Sequence, residues 1–136
     1  ITQRQLCSWL ESSPVKFKGY SDDLSRIFDR CLVTILPSYR EGLPKSVLDA
    51  ASFGCAAIVS DAPGCREIVI DGETGFLIRP RDSQHLGDAL KIVCENPDKI
   101  KLCGLAASTR ARESFHIATI GQEFETLLRS GFCSAK

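Results

Sequence analysis

The spacing of apolar and polar positions divides the chain into two kinds of element that alternate. VKFKG (15–19) and LVTIL (32–36) are short β-rich runs, each stopped by turn-forming residues. Between them SDDLSRIFDR opens on Ser and Asp, whose oxygens can satisfy the free N–H groups of a helix start, and this predicts a helix. After the loop PSYREGL a further helix is predicted from Pro44 to about Phe53, closed by Gly54. Pro44 suits the first helical position, because its φ is already helical and its missing N–H costs nothing there. CAAIVS (55–60) is continuously apolar rather than alternating, as a strand covered on both faces must be. Strand, helix, strand, helix, strand predicts an α/β fold with a right-handed parallel sheet flanked by helices.

Further along, SDAPGCREIV turns, and IVIDGETGFLI predicts two short extended pieces around a Gly-rich turn. Asp71, Gly72 and Gly75 belong to that turn and are read as structural, with positive φ at glycine. From Asp82, Leu86, Ala89, Leu90 and Val93 recur at helical spacing. NPDK starts another helix through Arg112, and a last one is predicted from about Ile117 to Arg129. Ile117, Ile120, Phe124, Leu127 and Leu128 give that last helix an apolar face, which predicts an exposed patch, self-association or disorder. About four strands are legible where a doubly wound nucleotide-binding sheet has five or six. The chain also contains no methionine. Both observations lead us to expect a piece of a longer protein, with further strands before residue 1.

Composition narrows the partners. At 136 residues, 43% hydrophobic and 25% charged, the chain reads as one soluble globular domain. Lys plus Arg equals Asp plus Glu at 17 each, so no overall field recruits nucleic acid or an anionic membrane. No apolar stretch approaches a membrane span, and the first residues do not form a signal peptide. The expected location is the cytoplasm, including the inner face of the membrane if another part of the protein supplies the contact. The seven cysteines form no C-x-x-C pair and match no zinc or cluster spacing. They are read as buried free thiols in a reducing compartment, in preference to a structural disulfide or a catalytic cysteine.

The densest chemistry lies between Ser38 and Asp61. Glu41 stands on the loop after the second predicted strand, and Asp49 lies inside the helix that follows. A helix that starts at the carboxyl end of a strand offers free N–H groups and the positive end of its dipole to an anion. On that helix Val47, Leu48, Ala50 and Ala51 cover a broad apolar side, while Lys45, Asp49 and Ser52 share a narrow polar stripe. Such a stripe either faces a cleft or is a solvated face carrying a Lys45–Asp49 pair worth about 0.2–0.5 kcal/mol.

PSYREGLPKSVLDAASFG resembles the signature of family 4 (group 1) retaining glycosyltransferases of the GT-B fold: a Glu, seven residues, a second Glu, then Ala and a small-residue turn into a strand. VKFKGYSDDLSRIF, APGCREIVIDGETGFLI and the helix beginning DSQHLGDAL resemble the same family in the same order. The resemblance implies a Rossmann-like sheet, with residues 1–136 a single, partial nucleotide-sugar-binding domain. It further implies that this is the truncated C-terminal half of an enzyme whose N-terminal acceptor domain and first strands of this domain are absent. It implies that Glu41, the catalytic residue, bonds hydroxyls of the donor sugar. Gly42 and Leu43 would offer backbone N–H groups to the diphosphate, and Pro44 and Lys45 would complete the substrate-binding edge. Asp49 takes the position that holds the ribose. There the family usually has Glu, so the shorter side chain needs a closer helix or a bridging water. Phe17 to Tyr20 resembles the edge that meets the base. The implied partners are a nucleotide-diphosphate sugar and a glycan or lipid-linked acceptor, with transfer needing no metal and the chain inactive alone. Two other readings stand beside this: a relative that binds a nucleotide or partner without chemistry, which the Asp49 departure keeps open, and a phospho-receiver domain built on Asp22, Asp23 and Asp61.

Overall fold

A computed structural model describes residues 2–133. Its centre is a parallel sheet of β1 (Val33–Leu36), β2 (Ala56–Ser60) and β3 (Gly75–Ile78), in the order β1-β2-β3. Val33 lies opposite Ala56 and Ala57 opposite Gly75. Every residue of β2 is buried, as its unbroken apolar run requires. Alternation along β2 sends Ala57 and Val59 to one face and Ala56 and Ile58 to the other. The first pair packs with Val47, Cys65, Ile68 and Val69; the second meets Ile78, Ala89, Ile100 and Cys103.

The helices are α1 (Gln3–Ser12), α2 (Ser25–Phe28), α3 (Lys45–Ser52), α4 (Cys65–Ile68), α5 (Ser83–Glu95), α6 (Pro97–Ser114) and α7 (Ile117–Cys133). Helix α3 buries Val47, Ala50 and Ala51, the apolar side read from its sequence. Helix α6 comes close to the turn after α3: a Cβ on Gly104 would stand 1.9 Å from the Gly54 carbonyl oxygen. Gly75 is likewise needed for room, since a Cβ there would lie 2.1 Å from the carbonyl oxygen of Ala57. Helix α7 leaves its apolar side uncovered, with Ile117 84% and Phe124 62% exposed.

The structure corrects several expectations. VKFKG forms no strand; Val15, Phe17 and Tyr20 are exposed, and among the described residues nothing pairs with that segment or with the outer edge of β1. β-propensity expresses a fit to a half-buried pleated surface, and no such surface lies beneath these residues. The helix in SDDLSRIFDR shrinks to the single turn of α2, and Asp23, not Asp22, accepts from the Ser25 backbone N–H at 3.0 Å. Pro44 is the cap residue of α3, with ψ 102, rather than its first helical residue. In the DGETG turn Gly72 has φ 75 as expected, whereas Gly75 does not. Cys55, Cys65 and Cys103 are buried, but Cys7, Cys31 and Cys94 are exposed, so position in an apolar run did not decide burial.

Candidate functional site

The loop from Pro37 to Pro44 leaves the carboxyl end of β1 and turns into α3. What fixes it is a second loop, the one following β2. Gly64 has φ 86, and a Cβ there would stand 2.0 Å from the carbonyl oxygen of Gly42 and 2.7 Å from that of Glu41. The Glu41–Gly42 backbone thus rests directly on the Gly64 turn, an approach only glycine permits. The other side of Gly42 is open, with nothing within 4 Å of where a side chain would begin.

Glu41 is partly buried on this loop, and its carboxylate makes no ion pair or hydrogen bond with the described residues. Its charge is felt at Cys65, the first residue of α4: burial raises that thiol's pKa, and Glu41 and then Glu67 raise it further. Beside Glu41, no side chain caps α3. The first backbone N–H engaged at that end belongs to Val47, donating to the Pro44 oxygen at 3.0 Å, which leaves those of Lys45 and Ser46 without acceptors among the described residues. A carboxylate without a partner among the described residues and an uncapped positive helix end are therefore carried by one loop-to-helix segment at the carboxyl edge of the sheet.

The polar stripe of α3 faces a groove. Lys45, Asp49 and Ser52 line a cleft of about 350 Å³ whose other wall is Arg112, Phe115 and His116, from the end of α6 and the approach to α7. The Lys45–Asp49 ion pair is not formed. The structure brings Lys45 and Asp49 together in this cleft and sets Glu41, Gly42 and Leu43 on the adjoining loop. A larger cleft of about 410 Å³ opens over the ends of all three strands, where Tyr39, Ser60, Arg79 and Arg81 meet.

Sequence reasoning missed Gly64, Arg112 and His116. APG announces a turn, but not that the turn carries another loop. His116 has a visible local duty, its Nδ1 accepting from the Ala118 backbone N–H at 3.2 Å. The receiver arrangement does not exist: Asp61 is paired with Arg66 at 3.0 Å, and Asp22 and Asp23 lie ahead of β1 on a segment outside the sheet. No helix among the described residues is long and apolar enough to cross a membrane.

Comparison with known proteins agrees with this architecture. Residues 10–110 match the family described as glycosyl transferases group 1. Over 94 residues the chain is 32% identical to the N,N'-diacetylbacillosaminyl-diphospho-undecaprenol alpha-1,3-N-acetylgalactosaminyltransferase of Campylobacter jejuni, covering 69% of this chain and 25% of that protein. It is 31% identical over 107 residues to glycogen synthase of Mycobacterium tuberculosis, covering 77% and 26% respectively. The chain thus spans about a quarter of the length of these relatives. Among solved structures, Anabaena Alr3699/HepE in complex with UDP superimposes with a TM-score of 0.84 at 26% identity, over 93% of this chain and 35% of that one. Sucrose-phosphate synthase from Thermosynechococcus elongatus gives 0.75 at 26% identity, over 82% and 28%. With the family match running through most of its length, and a Rossmann-like parallel sheet of GT-B type beneath it, the chain belongs to the group 1 glycosyltransferases.

Proposed function

We propose that this chain is the donor-binding part of a retaining glycosyltransferase and holds a nucleotide-diphosphate sugar at the loop between β1 and α3. The observation that carries the reading is the Glu41 carboxylate, unpaired among the described residues, on a loop that rests on the Gly64 turn and leads into the uncapped N-terminus of α3. Carboxylates grip sugar hydroxyls, and a helix N-terminus grips phosphate. The two needs of a sugar diphosphate are thus met by neighbouring groups. Support comes from Anabaena Alr3699/HepE, solved with UDP and with UDP-glucose.

In this reading Glu41 accepts hydrogen bonds from the donor sugar as the oxocarbenium-like transition state develops. The N–H groups of Gly42 and Leu43, with those of the first turn of α3 after Pro44, take up charge on the departing diphosphate without a metal. Lys45 adds a cation at the rim, and Asp49 receives the ribose hydroxyls in the groove against α6. Residues 1–136 then form a partial donor domain. The acceptor domain, first strands and phosphate-clamping basic residues belong to other parts of a longer protein, which transfers to a glycan or lipid-linked acceptor at the cytoplasmic side of the membrane. The open face of α7 docks on that remainder, and the chain alone self-associates through it. Sedimentation as a monomer at high concentration, unchanged by Phe124→Glu, would count against that docking.

The direct test is heteronuclear NMR of the chain titrated with UDP, GDP and ADP. One nucleotide should shift the amides of Gly42, Leu43, Lys45 and Asp49. Shifts confined to other elements would overturn the assignment. In the full-length protein Glu41→Ala should lower kcat by about a hundredfold or more, as loss of one transition-state hydrogen-bonding group does. Unchanged transfer would remove Glu41 from the chemistry and favour a relative that binds without reacting.

A further inference from the structure

The cleft over the strand ends carries chemistry the donor reading does not use. Its floor is Ser60, the last residue of β2, which is only 1% exposed and lines the cleft. The Ser60 hydroxyl bonds to no other described residue. No buried side-chain polar atom lacks a partner among the described residues, so this oxygen reaches the cleft and is open to a ligand there.

Around Ser60 stand two guanidinium groups in different situations. Arg79 is committed, paired with Asp82 at 2.9 Å. The other Asp82 oxygen caps α5, accepting from the His85 backbone N–H at 2.9 Å. Arg81 has no carboxylate partner among the described residues; it lies over the Tyr39 ring, 5.0 Å from the centroid. Two cations against one carboxylate leave the cleft a net charge of about one positive unit, which suits a singly charged oxyanion better than a dianion. Arg81 also has φ 62, a left-handed conformation that disfavours it against Gly or Asn. The backbone therefore gives no reason for arginine here, which directs attention to its side chain on the cleft.

Tyr39 supplies what a saccharide needs beside a charge. Its exposed ring forms one wall of the cleft, two residues before Glu41 on the same loop. The cleft volume of about 410 Å³ is in the range of small-molecule sites.

We infer that this cleft is a saccharide subsite selective for a singly charged oxyanion, with Arg81 pairing the carboxylate of an acidic sugar and Ser60 bonding an oxygen of the same unit. That the ligand is a saccharide rests on the donor reading above; the charge preference rests on the cleft alone. The acidic unit can belong to the sugar being transferred or to the acceptor beside it. The same oxyanion chemistry serves both.

The test is NMR titration of the chain with methyl glucuronide, neutral methyl glucoside, UDP-glucuronate and UDP-glucose. Glucuronide should shift Ser60, Arg81 and Ser83 saturably, and the glucoside should not. Shifts there with free methyl glucuronide place the unit on the acceptor side; shifts only with UDP-glucuronate place it on the donor. Arg81→Gln should weaken the effect at least about tenfold, the usual loss for a hydrogen bond to a charged group. Arg81→Gly, which relaxes the left-handed backbone, should weaken it equally while keeping the fold. Equal shifts with glucoside and glucuronide, no shift with either glucuronide, or full binding by Arg81→Gly would each overturn the inference. Failure here with nucleotide shifts retained at Gly42–Lys45 removes this subsite alone. Loss of the nucleotide shifts with the glucuronide effect intact removes the donor reading instead.

Discussion

Replacing Gly64 by Ala tests whether one turn holds the Glu41 loop in place. Two costs are built into the geometry. With φ at 86, any side chain at this position is strained, by about 1–2 kcal/mol. The new methyl would also stand 2.0 Å from the Gly42 oxygen, so the loop must withdraw by roughly 1 Å or more, a forced repacking of about 1–3 kcal/mol. The sum, about 2–5 kcal/mol, is a large part of the 5–15 kcal/mol typical of a domain, yet leaves the variant folded in most of that range. Gly72→Ala separates the two costs, since Gly72 has φ 75 with nothing within 4 Å of its Cβ position. It should lose the strain alone, so Gly64→Ala should be worse by about 1–3 kcal/mol. Urea unfolding followed by circular dichroism measures that difference, and amide shifts from Glu41 to Val47 report whether the loop moves. Equal unfolding free energies in the two variants, with the Glu41 and Gly42 amides unmoved, would refute the claim that the turn supports the loop.

Two further outcomes concern stability. Arg110 donates to the Glu67 and Ile68 carbonyl oxygens at 2.7 and 3.0 Å and lies over the Phe115 ring, closing the C-terminal end of α4. Arg110→Ala should cost about 1.5–3 kcal/mol in urea unfolding, and Arg110→Lys should recover less than half, because one ammonium cannot fork across two carbonyls; full recovery by Lys would contradict this. The Asp82 pKa is lowered, first by the His85 backbone N–H and then by Arg79. A depressed carboxylate contributes stability that is present above its unfolded pKa and is lost as pH falls through the folded one, so the loss belongs below about pH 4. Asp82→Ala should flatten that acid limb and speed amide exchange in the first turn of α5; an unchanged limb would remove Asp82 as its source.

Much of the fold could be read from the sequence, because period carries it. The unbroken run of β2, the helical spacing of α5 and the apolar side of α3 each name their own element. What could not be read depends on approach between distant segments. Val15 and Phe17 look like a strand until one asks what lies beneath them. Gly64 looks like any turn glycine until the Glu41 loop is laid upon it. In the candidate site, Glu41 and Asp49 stand out by spacing, whereas the wall facing Asp49 comes from Arg112 and His116, more than sixty residues later. The local duty of His85, accepting from the Arg79 N–H at 3.1 Å, follows no sequence rule.

The central place of β2 also governs how the chain acquires its structure. Its pairing with β1 joins Val33 to Ala56, its pairing with β3 joins Ala57 to Gly75, and the helix layer over its Ala56 and Ile58 face, α5 and α6, arrives only from Ser83 onward. None of these meetings is local, so loop-closure entropy must be overcome before any of them is rewarded. A ribosome making this chain exposes the most apolar strand well before its second neighbour or that helix layer exists. The interval is spent with AAIVS open to other chains, which makes this short segment the one a chaperone would be expected to shield.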